Sequence, residues 1–148
     1  MAENINIIVI GGGPAGMVSA ATARRYYPDK KILLIRDVKN GVIPCGIPYM
    51  CASLKDPAGN RVGDAPLEKH NIGVLVDEVV GVDSNKKTIQ TKSGKEFCYE
   101  KLILAIGSLP ITPPIPGIRK EGVCMIYKDF DYLKTAIEKI KQAKNVLI

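Results

Sequence analysis

Three glycines that directly follow a short apolar segment constrain the fold of this chain more than any other feature of its sequence. Residues 5–10 are almost entirely apolar, which is typical of a buried parallel strand, and the alanine-rich residues 14–27 predict a helix. Between these segments, Gly11 permits a tight turn, Gly13 lets the backbone approach a pyrophosphate, and Gly16 lets the helix pack closely on the strand. The amides and partial positive charge at a helix start favour phosphate. The pattern therefore predicts a site for the phosphates of a dinucleotide.

A second apolar segment at residues 31–36 completes a strand–helix–strand unit, the building block of a doubly wound sheet. We therefore predict an α/β fold with a mostly parallel, Rossmann-like sheet and the first strand at its centre. Turn-separated segments predict a small antiparallel β-meander inserted into this frame. Its predicted strands are 73–76, 79–82, 87–91 and 96–99. The remaining predicted elements are strands at 102–106 and 123–127 and an amphipathic helix at 129–144.

The last four residues, 145–148, have the composition of another buried strand that has only begun. We therefore interpret the chain as a fragment of a longer protein, in which residues 1–144 belong to one domain and residues 145–148 start the next. A length of 148 residues is enough for one domain with a real core and too short for two full nucleotide-binding domains plus a third domain.

Composition narrows the classes of partner. Hydrophobic residues make up 46% and charged residues 24%, which is typical of a globular domain rather than a disordered chain. The net charge of +6 fits either a phosphate-bearing partner or a lysine-rich solvated surface. The basic residues are scattered without a recognition motif, so no nucleic-acid partner is expected. Neither a membrane span of ~20 apolar residues nor a basic leader with a cleavage site occurs, so we expect no membrane partner and a cytoplasmic location.

Among the four cysteines, Cys45 lies in the most distinctive surroundings, between Pro44 and the segment 46–49. A cysteine at the start of a short helix meets N–H donors that favour the thiolate, the form that attacks disulfides and hydroperoxides. The residues alone support a redox thiol and a buried structural thiol equally. Cys51 is six residues further on and is expected to face elsewhere, so the two should not form a resolving pair. The cysteine and histidine spacing does not fit a zinc site, so no metal is predicted.

The end of the second predicted strand carries Arg36 followed by Asp37, where a dinucleotide fingerprint expects a carboxylate for the adenosine ribose. Asp37 could supply that carboxylate, or Arg36 could stack on the adenine or meet a phosphate. A 2′-phosphate, as in NADP, is the rival ligand for an arginine at this place. Arg36 could also be a solvated strand end.

Three motifs, in this order and spacing, resemble a family of flavoproteins. They are Gly11-Gly12-Gly13-Pro14-Ala15-Gly16, Cys45-Gly46-Ile47-Pro48-Tyr49, and Leu102-Ile103-Leu104-Ala105-Ile106-Gly107-Ser108-x-Pro110. Over essentially its whole length the chain is similar to the N-terminal part of the pyridine nucleotide–disulfide oxidoreductases. The single cysteine of the middle motif points to the branch with coenzyme A disulfide reductase and NADH oxidase, because relatives with a cysteine pair carry the two cysteines four or fewer positions apart.

The resemblance implies FAD as the bound cofactor and NAD(P)H as the co-substrate of a full-length parent. It implies that the first motif holds the FAD pyrophosphate, that the end of strand two meets the ribose, that the backbone of Val79 meets the adenine, and that Cys45 is the catalytic redox thiol beside the flavin. The cofactor-binding residues it implies are Gly11, Gly13, Pro14, Ala15, Gly16, Arg36, Asp37, Val79, Ala105, Ile106 and Gly107. Residues 145–148 would then begin an NAD-binding domain.

Three departures from the family pattern weaken individual assignments. Arg36 replaces the usual glutamate, Ile106 replaces the usual threonine, and Tyr127 stands where many relatives have arginine, with Lys128 beside it. The chain therefore differs from the family at the usual positions of the ribose contact, of a hydroxyl near the flavin and of a charge contact.

The function predicted from the sequence is the FAD-binding segment of an NAD(P)H oxidoreductase that passes electrons through FAD to Cys45. The acceptor would be a small molecule: coenzyme A disulfide, dioxygen or peroxide. The full-length parent is expected to be a homodimer, and the isolated segment is expected to be inactive. The alternatives are a plain NAD(P)-binding Rossmann dehydrogenase domain and an inert binding module.

Overall fold

The computed structural model describes residues 2–148, which divide into two compact units. The first, here called the sheet unit, comprises the chain up to Lys39 together with Gly63–Gly107. The second, here called the helical unit, comprises Asn40–Val62 and Ser108–Ile148.

The sheet unit is built on six strands, counted over the described residues. They are β1 (Glu3–Ile10), β2 (Ile32–Arg36), β3 (Gly73–Val76), β4 (Val79–Asp83), β5 (Thr88–Thr91) and β6 (Glu96–Leu104). Their order across the sheet is β3-β2-β1-β6-β5-β4. β1 pairs in parallel with both β2 and β6, and β2 pairs in parallel with β3, whereas β5 is antiparallel to β4 and β6. The predicted doubly wound, mostly parallel sheet with a central first strand is therefore confirmed.

β1 is apolar throughout its second half because both faces of the sheet are covered there. Ile7 and Val9 lie in one core cluster with the helix α1 (Pro14–Tyr26), and Ile8 and Ile10 lie in another on the opposite face. Ile8 and Val9 are fully buried, and removing such side chains from water contributes about 1.5–3 kcal/mol each. The short helix α3 (Ala65–Lys69) adds Leu67 to the α1 side.

Two of the strand assignments predicted for the sheet unit need correction. The segment 73–76 does not belong to the antiparallel meander, because β3 pairs in parallel with β2 at the far edge of the sheet. The segments 96–99 and 102–106 are not separate strands, because β6 runs without interruption through Glu100 and Lys101. These two charged residues are exposed in the structure, and Glu100 accepts from Asn6 at 2.6 Å, so they interrupt the apolar pattern without interrupting the strand.

The helical unit packs two helices, α2 (Ile47–Cys51) and α4 (Phe130–Gln142), around a small core of its own. α4 begins where the Asp129 carboxylate accepts from the amides of Asp131 and Tyr132, a regular N-cap arrangement. The core residues are Val42, Ile47, Met50, Phe130, Leu133 and Ile137. The predicted helix at 129–144 is thus confirmed with slightly tighter bounds.

Residues 123–127, predicted as a strand, form none in the structure. The Met125 carbonyl instead accepts from the Tyr132 hydroxyl at 2.7 Å, and the rings of Tyr127 and Tyr132 meet edge to face at 5.1 Å. Contacts with the side chain of Tyr132 in α4 therefore take the place of strand pairing. Residues 145–148 also form no strand here, and Leu147 and Ile148 are fully exposed. The domain boundary proposed at residues 144–145 stays a prediction.

Among residues 2–148, no helix has the length and apolar character that crossing a membrane requires.

Candidate functional site

The carboxyl ends of three adjacent parallel strands bring the predicted cofactor residues of the sheet unit to one edge. The glycine loop follows β1, Arg36 ends β2, and Ala105 follows β6. Val79 begins β4 shortly after β3 ends, and the Val76 end of β3 pairs with Arg36. Ligands of open parallel sheets bind at this edge, beyond the carboxyl ends of the strands.

Backbone hydrogen bonds fix the loop after β1. The Gly11 amide donates to the Ile35 carbonyl at 2.8 Å, and the Ala105 amide donates to the Ile10 carbonyl at 2.8 Å. Gly11 has φ +115°, and a Cβ added there would collide with the Ala105 carbonyl oxygen. A Cβ on Gly16 would collide with the Gly11 carbonyl oxygen. The chain's own packing therefore requires glycine at both positions.

Gly13 differs from these two glycines. Its φ of −76° and ψ of 179° are extended values open to any residue, and an added Cβ would meet no atom of the chain within 4 Å. The first helical hydrogen bond here runs from the Met17 amide to the Gly13 carbonyl, so the amides of Ala15 and Gly16 lie in the first turn, where no helical partner exists. Open space beside a glycine and free amides at a helix start form a cradle that fits a pyrophosphate.

Arg36 is almost fully buried, so the alternative of a solvated strand end is wrong. Its Nη1 and Nη2 donate to the two carboxylate oxygens of Asp64, each at 2.7 Å. Its stem lies under the loop, since a Cβ on Gly12 would come within 2.7 Å of the Arg36 Cδ. Its Nε is buried without a hydrogen-bond partner among the described residues. The guanidinium at the predicted ribose position is thus committed to an internal ion pair.

The other predicted cofactor residues of this unit are at least partly exposed to solvent. Asp37 is exposed, Val79 is half-buried at the start of β4, and Ile106 is exposed. Gly107 has φ +66°, which favours glycine. Next to Val79, the Asp77 carboxylate accepts from the Ser93 hydroxyl and from the Glu78 amide.

These hydrogen bonds, above all the one from Ser93, hold the pKa of Asp77 below its ordinary value. Asp77 is therefore a fixed negative charge near the start of β4 at neutral pH.

Cys45 belongs to the helical unit, in a 3₁₀ turn over Pro44–Gly46 that leads into α2. The thiol is exposed and free, which excludes the alternative of a buried structural thiol. Asn60 holds this turn: its Nδ2 donates to the Ile43 carbonyl at 3.1 Å and approaches the Met50 sulfur at 3.1 Å. Cys51 ends α2, and it is also exposed and free.

A surface depression of about 660 Å³ lies at the opposite edge of the sheet unit, near the amino ends of the strands. Its lining includes Ile5, Lys31 and Leu33. The glycine loop is absent from that lining, so this depression is separate from the candidate cofactor site.

Comparison with known proteins identifies the family. The family model for pyridine nucleotide-disulphide oxidoreductases matches residues 5–148. The chain belongs to this family. Within it, an NADH oxidase of Methanocaldococcus jannaschii is 35% identical over 125 residues, covering 78% of this chain and 28% of that protein. A NAD(P)H coenzyme A polysulfide/persulfide reductase of Pyrococcus horikoshii is 30% identical, covering 83% of this chain and 29% of that protein.

Solved structures of the family share the fold. A water-forming NADH oxidase from Lactobacillus brevis superposes with a TM-score of 0.81 at 25% identity, covering 95% of this chain and 33% of that one. A NAD-dependent persulfide reductase from A. fulgidus gives a TM-score of 0.77 at 28% identity, covering 93% and 28%. The family member described here thus spans about a third of the length of such relatives.

The sequence reasoning missed two residues that hold predicted site residues in place. Asp64 pairs with Arg36, and Asn60 holds the Cys45 turn. No local pattern marks either residue as special, because both partners are more than 15 positions away in sequence. The one available signal was Arg36 itself, since a buried arginine requires a carboxylate.

Proposed function

We propose that this chain is the FAD-binding segment of a flavin-dependent NAD(P)H oxidoreductase in which electrons pass from NAD(P)H through FAD to Cys45. The terminal acceptor is a disulfide, dioxygen or peroxide. Family membership favours this function over the plain Rossmann dehydrogenase. An inert binding module is distinguished from it by the flavin test below.

The observation that carries the proposal is the contrast among the three glycines of the loop. Gly11 and Gly16 are glycine because the chain's own backbone leaves no room for a Cβ. Gly13 has room and ordinary dihedral angles, so nothing within the chain explains a glycine there. Close approach of a pyrophosphate to the backbone does explain it.

The chain's residues would act on the cofactor by binding and orienting it. Amides of Ala15 and Gly16 would donate to phosphate oxygens, and the positive end of α1 would offset their charge. When bound, FAD would accept a hydride from NAD(P)H and pass two electrons to a sulfur centre.

The exposure of Cys45 and the turn that holds it support a role in thiol–disulfide exchange. Attack of its thiolate on a disulfide forms a mixed disulfide and releases one thiolate of the substrate. Two electrons and a proton then return Cys45 to the thiolate and release the second substrate sulfur as a thiol. The names of relatives include both an NADH oxidase and a persulfide reductase. The proposed acceptor is therefore a disulfide, dioxygen or peroxide, without a choice among the three.

The test is flavin content in a protein that carries this segment together with the regions present in its longer relatives. We expect a yellow protein with about one flavin per chain and a Gly13→Val variant that is folded and colourless. Gly59→Val is the matched control, because Gly59 also has open space around it and lies outside the loop. Full flavin occupancy in Gly13→Val, or a colourless parent protein, would contradict the proposal.

A further inference from the structure

The buried ion pair between Arg36 and Asp64 lies where a dinucleotide fold normally places a carboxylate for the adenosine ribose. Arg36 ends β2, beside the glycine loop, and only 3% of its side chain is exposed. Asp64 precedes α3 and keeps 33% of its side chain exposed. The pair is therefore buried at its cationic end and open at its anionic end.

The alternation of side chains along β2 shows which of the two carboxylates, Asp64 or Asp37, lies on the side of the glycine loop. Side chains alternate between the faces of a strand, and Leu34 lies in the core cluster on the α1 side while Ile35 lies in the opposite one. Arg36 follows this alternation, because its stem packs under Gly12 at the start of α1. Its two Nη atoms hold both carboxylate oxygens of Asp64 at 2.7 Å. A carboxylate is thus held on the side of the sheet that carries the glycine loop.

We infer that Asp64 is the residue that accepts hydrogen bonds from the adenosine ribose hydroxyls, and that Arg36 is its positioning residue. The inference rests on the proposed function. Each carboxylate oxygen has two lone pairs, so bonding to Arg36 leaves one on each oxygen for a hydroxyl donor. In the family pattern a glutamate at the end of the strand supplies this carboxylate. Here Asp64, from a neighbouring segment, would supply it, held by two hydrogen bonds from Arg36.

The same pair selects against a phosphate on the ribose. Arg36 is neutralised by Asp64, and the more exposed member of the pair is the anion. A 2′-phosphate would meet a carboxylate first, and like charges in contact repel. An arginine at this position of the sequence would by itself predict a contact with a 2′-phosphate. Because Arg36 is paired with Asp64, the site instead fits a nucleotide with free ribose hydroxyls.

The experiment uses the 148-residue chain with ADP as the probe, since ADP carries the ribose and pyrophosphate of the adenosine half. Backbone amide NMR follows the glycine loop, and ¹³C-carboxylate NMR follows Asp64 and Asp37 during the titration. We expect loop amides and the Asp64 carboxylate to respond while the Asp37 carboxylate stays unchanged. We expect 2′,3′-dideoxy-ADP to bind about ten- to a hundredfold more weakly than ADP, the loss typical of hydrogen bonds to a charged group.

Asp64→Asn and Asp37→Asn make the same chemical change at the two candidate carboxylates. We expect Asp64→Asn to erase the difference between ADP and dideoxy-ADP and Asp37→Asn to preserve it. Asp64→Asn also removes the negative charge that neutralises Arg36. The affinity for 2′-phospho-ADP-ribose relative to ADP-ribose should therefore rise by about tenfold or more. If that variant does not fold, the wild-type carboxylate shifts and the dideoxy comparison decide alone.

The outcomes separate this inference from the proposed function. Loop shifts with equal binding of ADP and dideoxy-ADP, or with a response at Asp37 instead of Asp64, would overturn the role of Asp64 and leave the dinucleotide site standing. No response of residues 11–16 to millimolar ADP would overturn the role of Asp64, and the flavin content of the longer protein tests the dinucleotide site separately.

Discussion

Asn60 lies so close to Gly46 that its side-chain amide occupies the space a Cβ on Gly46 would need. The same amide donates to the Ile43 carbonyl at 3.1 Å, and only 4% of Asn60 is exposed. Two segments of the helical unit are therefore locked together directly beside Cys45. The glycine after the cysteine is a packing requirement, set by a residue fourteen positions further along the chain.

This contact predicts that Asn60→Ala loosens the Cys45 turn. The Ile43 carbonyl would lose its partner, and the free energy of unfolding should fall by about 1–3 kcal/mol. The reaction rate of Cys45 with a thiol reagent should change with it. Asn85→Ala, in an exposed turn, is the control and should alter neither quantity. Urea unfolding and timed alkylation followed by mass spectrometry would measure both, and an unchanged Asn60→Ala variant would count against this role.

The glycine loop predicts a large effect on stability for one glycine-to-alanine substitution and almost none for another. Gly16→Ala should destabilise the isolated chain by about 1–3 kcal/mol, because the new methyl group forces the backbone of Gly11 to move. Gly13→Ala should stay within about 0.5 kcal/mol of wild type, because its methyl group meets open space. Chemical denaturation of the two variants tests this directly. Equal stability losses would show that Gly13 is also required by the fold.

Cys45→Ser and Cys51→Ser should have different effects in a protein that carries this segment together with the regions present in its longer relatives. Cys45→Ser should lower disulfide reduction on the order of 10³-fold or more, since no thiolate remains to attack, while flavin content stays unchanged. Cys51→Ser should retain the rate, because Cys51 lies at the other end of α2. Steady-state rates and flavin absorbance on both variants are the measurements. A Cys51→Ser enzyme as impaired as Cys45→Ser would indicate a working cysteine pair.

Asp77 should lend stability in a defined pH range. Its pKa is lowered chiefly by the Ser93 hydroxyl, so its contribution is present above the pKa of the unfolded chain and is lost as pH falls through the lower, folded pKa. Ser93→Ala should raise the pKa of Asp77 towards its ordinary value, and Ser84→Ala should not. Carboxylate NMR titration gives the pKa. The stability deficit of Ser93→Ala should vanish in strong acid, and a deficit that persists there would have another cause.

The 148-residue chain alone should bind FAD with a Kd in the micromolar range or weaker. The resemblance implies that a later region grips the other side of the flavin, and losing several hydrogen bonds costs about tenfold in affinity for each 1.4 kcal/mol. NAD(P)H turnover should be absent from this chain. Isothermal titration with FAD is the measurement, and nanomolar binding would show a self-sufficient flavin module.

Much of the sheet unit could be predicted because its signals are local. The apolar run of β1, the glycines after it and the turns around β5 each act over a few residues, and these elements are confirmed. The errors concern pairing. The position of β3 next to β4 in the sequence predicts a place in the meander, yet β3 pairs in parallel with β2. Residues 123–127 have strand composition, but their contacts are with Tyr132 of α4.

The sequence by itself determined the strand–turn–helix of the glycine loop, the family, and the identity of the candidate thiol. These depend on backbone geometry and residue spacing, which short segments encode. Only the tertiary structure decided that Gly13, unlike Gly11 and Gly16, faces open space and that Arg36 pairs with Asp64. Burial and ion pairing depend on which distant segments meet, and the 28 positions between Arg36 and Asp64 carry no periodic signal of that contact.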